Sequence, residues 1–138
     1  MSREHIPVAV RRLVAERAQG RCEYCLLHQD DTPFTHPLDH IIAIRHGGAT
    51  TTENLALACI DCNQNKGADL TTLDPLTGEI TPLFHPRHHD WNEHFQLEGA
   101  LIRGRTATGR ATVALLRINE LSRVEERQLL LSIDRYPS

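Results

Sequence analysis

An α+β fold is predicted by three observations. Apolar residues recur at helical spacing near both ends, short β-rich runs lie between them, and two Cys-x-x-Cys pairs, Cys22/Cys25 and Cys59/Cys62, bracket the middle. A chain of 138 residues is one domain by size, yet only 4% of it is aromatic, so its core is short of large side chains. A metal joining the two cysteine pairs would make up that shortage. The expected arrangement is a small metal-stabilised strand–strand–helix centre over 21–69 with a helix before it. Strands and helices over 70–138 are expected to pack on that centre as part of a single domain.

The elements follow in order. Residues 7–18 read as a helix, because Pro7 suits a first turn, Val10, Leu13, Val14 and Arg17 recur at helical spacing, and Gly20 can end it. The helix leads straight into the first cysteine turn. Two prolines and Asp30-Asp31 make 26–37 a loop. Residues 38–44 and 54–58 are strand-like, and Gly47-Gly48 between them suits a hairpin connection. Past Cys62, residues 63–69 can form a short helix with Asn63 and Lys66 on one face. Further on, 74–78 is a turn, 79–84 a strand, and 94–97 with 100–103 a hairpin around Glu98-Gly99. Residues 108–118 form a helix with Val113, Leu116 and Ile118 inward; 122–133 form the last, where Ser122-x-x-Glu125 fits a capping box.

The cysteine spacing is the most specific signal. Zinc takes four thiolate or imidazole ligands in a tetrahedron, and each Cys-x-x-Cys turn presents two sulfurs to one ion. Buried free thiols, a pair of disulfides and a redox dithiol are the alternatives. A redox motif leaves one pair idle. Disulfides fit poorly because residues 1–12 carry no apolar signal segment, which predicts a reducing, cytoplasmic setting. No apolar run approaches the roughly 20 residues of a membrane span. The net charge of −3 argues against indiscriminate adhesion to nucleic acid, but Arg103, Arg105, Arg110 and Arg117 lie in a stretch without one acidic residue. That stretch suits a phosphate-contacting surface; it equally suits a solvated helix face.

Hydrolysis of a phosphodiester needs a base for the attacking water and a cation for the charge that builds on oxygen. His40 suits the first task, since imidazole titrates near neutrality. Asp39 and Asn63 offer hard oxygen ligands of the kind Mg²⁺ or Mn²⁺ accepts. Strand alternation points Asp39 and His40 to opposite faces, so the segment must bend or bulge if both serve one site.

Taken together, Cys22-x-x-Cys25, Asp39-His40-Ile41-Ile42, Gly47-Gly48, Asn54-Leu55 and Cys59-x-x-Cys62-Asn63-x-x-Lys66 resemble the HNH endonucleases, in the zinc-bound branch with a ββα-metal core. The resemblance implies that Asp39 and Asn63 hold the catalytic metal and that His40 deprotonates water. It further implies that Asn54 fixes the hairpin loop through backbone hydrogen bonds, and that DNA is cut to a 5′-phosphate and a 3′-hydroxyl. Asn63 stands where the family more often has His, which shifts preference toward Mg²⁺ or Mn²⁺. Lys66, the only lysine, is a phosphate contact or a helix-face charge, and Arg45 is a weaker candidate of the same kind. Segments at 74–78, 83–87, Trp91 and 108–112 are also similar to uncharacterised bacterial HNH proteins, which implies a fold and no mechanism.

Other residues carry less. His36 lies three before Asp39 and could approach the metal, whereas His85, His88, His89 and His94 cluster around Trp91 as packing, surface or an accessory nucleic-acid contact. Two rivals to an enzyme stay open: a zinc-stabilised nucleic-acid-binding module without turnover, and a protein-interaction domain. For an endonuclease, one active site nicks one strand, so a double-strand break calls for a homodimer or two events.

Overall fold

A computed structural model describes residues 5–137. Helix α1 (Val8–Arg17) follows Pro7 and buries Val14, which packs with Ile6, Leu55 and Leu57. Leu13, one of the residues at helical spacing, is 47% exposed. Arg17 ties the helix to the hairpin by donating to the carbonyls of Thr52 (2.9 Å) and Leu55 (2.7 Å).

Strands β1 (Leu38–His40) and β2 (Leu55–Leu57) pair antiparallel, with Asp39 opposite Ala56 and His40 opposite Leu55. Both are shorter than the sequence predicts. The reason is local: the backbone N–H and C=O of Ile42 are taken by the Asn54 side chain instead of a strand partner. Beyond Ile42, a 3-10 turn over Ile44–His46 ends at Gly47 with φ 91°, a left-handed conformation that favours glycine. Gly48 then runs so close to Ile42 that a Cβ there would collide with the Ile42 carbonyl oxygen.

Helix α2 (Ile60–Lys66) starts earlier than expected, because the Cys59 sulfur caps it by accepting from the Cys62 N–H at 3.4 Å. After α2, β3 (Thr71–Leu73) pairs with β4 (Ile80–Pro82), and helix α3 (Trp91–His94) precedes the hairpin β5 (Phe95–Glu98) and β6 (Leu101–Gly104). The sequence pattern gave no sign of β3 or α3. Helices α4 (Ala107–Leu115) and α5 (Leu121–Ser132) close the chain. The expected capping box at Ser122 does not form, since the Glu120 carbonyl already accepts from Arg123 and Val124 and so starts α5 before Ser122.

One buried cluster joins the cysteine turns to the later elements: Cys22, Tyr24, Cys25, Cys59 and Cys62 pack with Phe84, Phe95, Leu116 and Leu130 among others. Phe84 meets Phe95 edge-on at 5.0 Å between centroids, a favoured aromatic geometry. The Trp91 indole N–H donates to the Tyr24 carbonyl (2.9 Å), and the Tyr136 hydroxyl donates to the Cys25 carbonyl (2.8 Å). Among the described residues, no helix is long and apolar enough to cross a membrane.

Candidate metal centre and active site

The four cysteines are buried together, with all four sulfurs within 4.8 Å of one another. The Cys25 and Cys59 sulfurs, which link the two turns, are 3.7 Å apart. A tetrahedron with Zn–S bonds of about 2.3 Å has edges of about 3.8 Å, so the donor set fits zinc in both chemistry and size. The turns also support their sulfurs, since Cys25 N–H donates to Cys22 Sγ at 3.4 Å, matching the Cys62-to-Cys59 bond. Burial pushes the Cys22 and Cys62 thiols well up, whereas hydrogen bonds from Cys22, Cys59 and Cys62 hold the Cys25 thiol well down.

Sequence reasoning missed the cation at this centre. Arg123 comes from α5, about sixty residues downstream, and is 9% exposed. Its Nη2 lies 3.0 Å from Cys62 Sγ and 3.7 Å from Cys59 Sγ, while Nη1 donates to the carbonyls of Leu116 (2.7 Å) and Arg117 (3.1 Å). Burial disfavours the guanidinium charge, but the neighbouring cysteines outweigh it and raise the Arg123 pKa overall. A four-thiolate zinc site carries a net charge of −2, and Arg123 offsets part of it. No spacing rule flags such a residue, because its partners are distant in sequence.

On the hairpin, β1 keeps regular pairing through Asp39 and His40, and the chain bends directly after them, at Ile41 and Ile42. Asp39 is 3% exposed, and its Oδ2 accepts from the Tyr24 hydroxyl at 2.8 Å. Lys66 is equally buried, and its Nζ lies 3.2 to 3.3 Å from the Asp39 oxygens while donating to the carbonyls of His40 (3.2 Å) and Ile41 (3.1 Å). Lys66 thus bonds the Asp39 carboxylate and the His40 backbone with one ammonium. Burial pushes the Asp39 carboxyl up, and the Lys66 charge and the Tyr24 hydrogen bond pull against that. Burial beside the Asp39 charge raises Tyr24 well above the ordinary phenol range, which keeps it a donor.

His40 is half-buried, with Nε2 2.9 Å from Thr50 Oγ1. Asn54 clamps the loop between them: Oδ1 accepts from Ile42 N–H (2.9 Å), and Nδ2 donates to the carbonyls of Ile42 (2.9 Å) and Ala49 (2.8 Å). Asn63 lies on α2 with its carboxamide making no hydrogen bond among the described residues. Tyr24 and Thr50 were not legible as site residues, because they meet Asp39 and His40 only in the folded chain.

The basic candidates separate. Arg45 is exposed and makes no ion pair among the described residues, Arg103 pairs with Glu98 at 3.0 Å, and Arg105 donates to the Asn92 carbonyl. Arg110 grips the Asp74 carboxylate with two bonds, at 3.0 and 2.8 Å, so its charge is matched inside the molecule. His36 does not reach Asp39; it is buried with Nε2 2.8 Å from the Leu27 carbonyl.

Residues 22–69 match the HNH endonuclease family. No curated protein and no solved structure matches the chain. A match of this kind indicates a nuclease-type or nucleic-acid-binding module. Over residues 22–69 the chain is thus similar to the HNH family, and the four buried cysteines around this segment's hairpin and helix fit the zinc-bound branch of that family.

Proposed function

We propose that the chain is a metal-dependent endonuclease that hydrolyses DNA phosphodiester bonds, with His40 as the base. The observation that carries this reading is the Asn54 clamp, three side-chain bonds that fix the loop from Ile42 to Ala49 next to His40. With Nε2–H donating to the Thr50 hydroxyl, the Nδ1 lone pair of His40 is left for the proton of water. Water attacks phosphorus in line, its proton passes to His40, and the bond to the 3′ oxygen breaks; that oxygen takes a proton from solvent, leaving a 3′-hydroxyl and a 5′-phosphate.

Asp39 and Asn63 would hold the catalytic ion. A carboxylate has about four acceptor sites, so Asp39 keeps capacity beyond its Tyr24 and Lys66 bonds, and a carboxylate with an amide oxygen is a hard donor pair suited to Mg²⁺ or Mn²⁺. When bound, that ion supplies positive charge to the phosphoryl and leaving oxygens. Zinc at the four cysteines has the separate task of folding the centre. Arg45 faces solvent beyond the hairpin and serves as a backbone contact, with Arg103 and Arg105 as outlying ones.

The test is nicking of supercoiled plasmid by purified protein with Mg²⁺, Mn²⁺ or EDTA. His40→Ala is expected to lower the rate at least about 100-fold with zinc content and melting temperature retained. Nicking by His40→Ala at the wild-type rate would defeat the assignment.

A further inference from the structure

A cavity of about 230 Å³ opens beside the candidate site. Its lining begins at Ile41 and Ile42, the residues directly after His40, and includes Lys66, which holds Asp39. The opposite wall is Phe84 with His85, His88 and His89. None of these histidines has a part in the hydrolysis above.

Two of the three histidines form a flat stack, and His89 stands nearly perpendicular to His85, with planes 83° apart. The His85 and His88 rings stack with centroids 3.9 Å apart and planes 5° apart. His85 Nδ1 accepts from the backbone N–H groups of Arg87 and His88, and His89 Nδ1 accepts from the N–H of His85. Both rings are therefore fixed as tautomers that carry their proton on Nε2. Burial lowers the pKa of each, and neighbouring imidazoles lower it further, which keeps them neutral.

The chemistry of this cavity selects its ligand. At about 230 Å³ it is smaller than pockets that take drug-sized molecules, roughly 300–1,000 Å³, and suits a single flat ring system. Apolar walls from Ile41, Leu83 and Phe84 do not favour a phosphate. Its one fixed cation, Lys66, is already paired with Asp39, and Asp69 at the rim repels anions while accepting from a ring N–H or amino group.

We infer that this cavity seats an unpaired nucleobase of the nucleotide beside the cleaved phosphate, stacked on the His85/His88 pair. The inference rests on the nuclease reading and deepens it: the preferred substrate is single-stranded or locally unpaired DNA. A base inside a duplex cannot enter without leaving its stack, which costs a few kcal/mol.

The experiment uses a single-stranded oligonucleotide carrying one 2-aminopurine, whose fluorescence falls on stacking, bound to the full-length zinc-loaded protein in buffer without Mg²⁺ or Mn²⁺. A duplex of the same sequence is the comparison. Wild type is expected to quench the single strand and bind it more tightly than the duplex. His88→Ala is expected to lose about 5- to 100-fold in affinity for the single strand, and His88→Phe, which keeps a flat ring, to regain most of it. Leu70→Trp, a bulky change at a half-open lining position, is expected to block quenching without unfolding the protein. Unchanged quenching in His88→Ala, or equal affinity for single strand and duplex in wild type, overturns the inference even where plasmid is nicked normally. Histidine-dependent quenching by a protein that never nicks leaves the base seat standing and sinks the turnover assignment instead.

Discussion

Replacing Arg123 by methionine keeps the length of a flexible side chain and removes the guanidinium that lies 3.0 Å from Cys62 Sγ. Two effects follow. The zinc–thiolate cluster loses a charge-assisted donor, and loss of such an outer partner costs about 10- to 100-fold in metal affinity, or roughly 1.4–2.7 kcal/mol. In addition, the carbonyls of Leu116 and Arg117 lose the donor at 2.7 and 3.1 Å that closes the end of α4. With a buried anionic cluster left uncompensated, the total loss of folding stability is about 3–5 kcal/mol. Arg123→Lys retains the charge without the fork of donors, so it should recover part of the zinc affinity and little of the carbonyl bonding. Zinc affinity is read by chelator competition, and stability by urea unfolding of the zinc-loaded protein. A methionine variant that binds zinc within twofold of wild type and unfolds at the same urea concentration would refute the role given to Arg123.

Lys66→Met should leave the buried Asp39 carboxylate without its cation and destabilise the protein by about 3–5 kcal/mol; an unfolding midpoint equal to wild type would show the pair contributes nothing net. Asn54→Ala frees both polar groups of Ile42 and the Ala49 carbonyl, so plasmid nicking should fall while zinc content is kept, and undiminished nicking would remove the clamp from the mechanism. Hydrogen bonds from Arg110 hold the Asp74 carboxyl well below its ordinary range. Its folded pKa is thus below the unfolded value of about 3.9, so the stability it adds is present above that pH and is lost as pH falls through the lower folded value. Arg110→Met should flatten this acid-side decline relative to wild type between about pH 5 and 2, with zinc release common to both proteins. Parallel stability–pH curves for the two would contradict it.

The parts of the fold that were legible are those in which the residue type and the spacing carry the constraint themselves. Cys-x-x-Cys turns, the Gly47-Gly48 connection and the strand, strand, helix order depend on neighbours a few positions away, and each is present in the expected order. Strand lengths were overestimated because a side chain, Asn54, replaces a strand partner at Ile42. β3 has no β-rich run of its own and exists through its register with β4. Asp39 and His40 stand out as candidates by type, but Tyr24, Thr50 and Arg123 act through contacts that only the folded chain makes. The arginine-rich stretch over 99–119 illustrates the same limit: Arg110 reads as a surface charge until Asp74, thirty-six residues earlier, is found beneath it.

The bonds from Trp91 to Tyr24 and from Tyr136 to Cys25 bear on modularity. Grafting 22–69 onto another protein would strip the first cysteine turn of the rings that cover it and expose Tyr24 to solvent. A transplanted cassette would therefore aggregate or demand a substitute lid, and swaps between relatives should be cut outside α1 and after Tyr136.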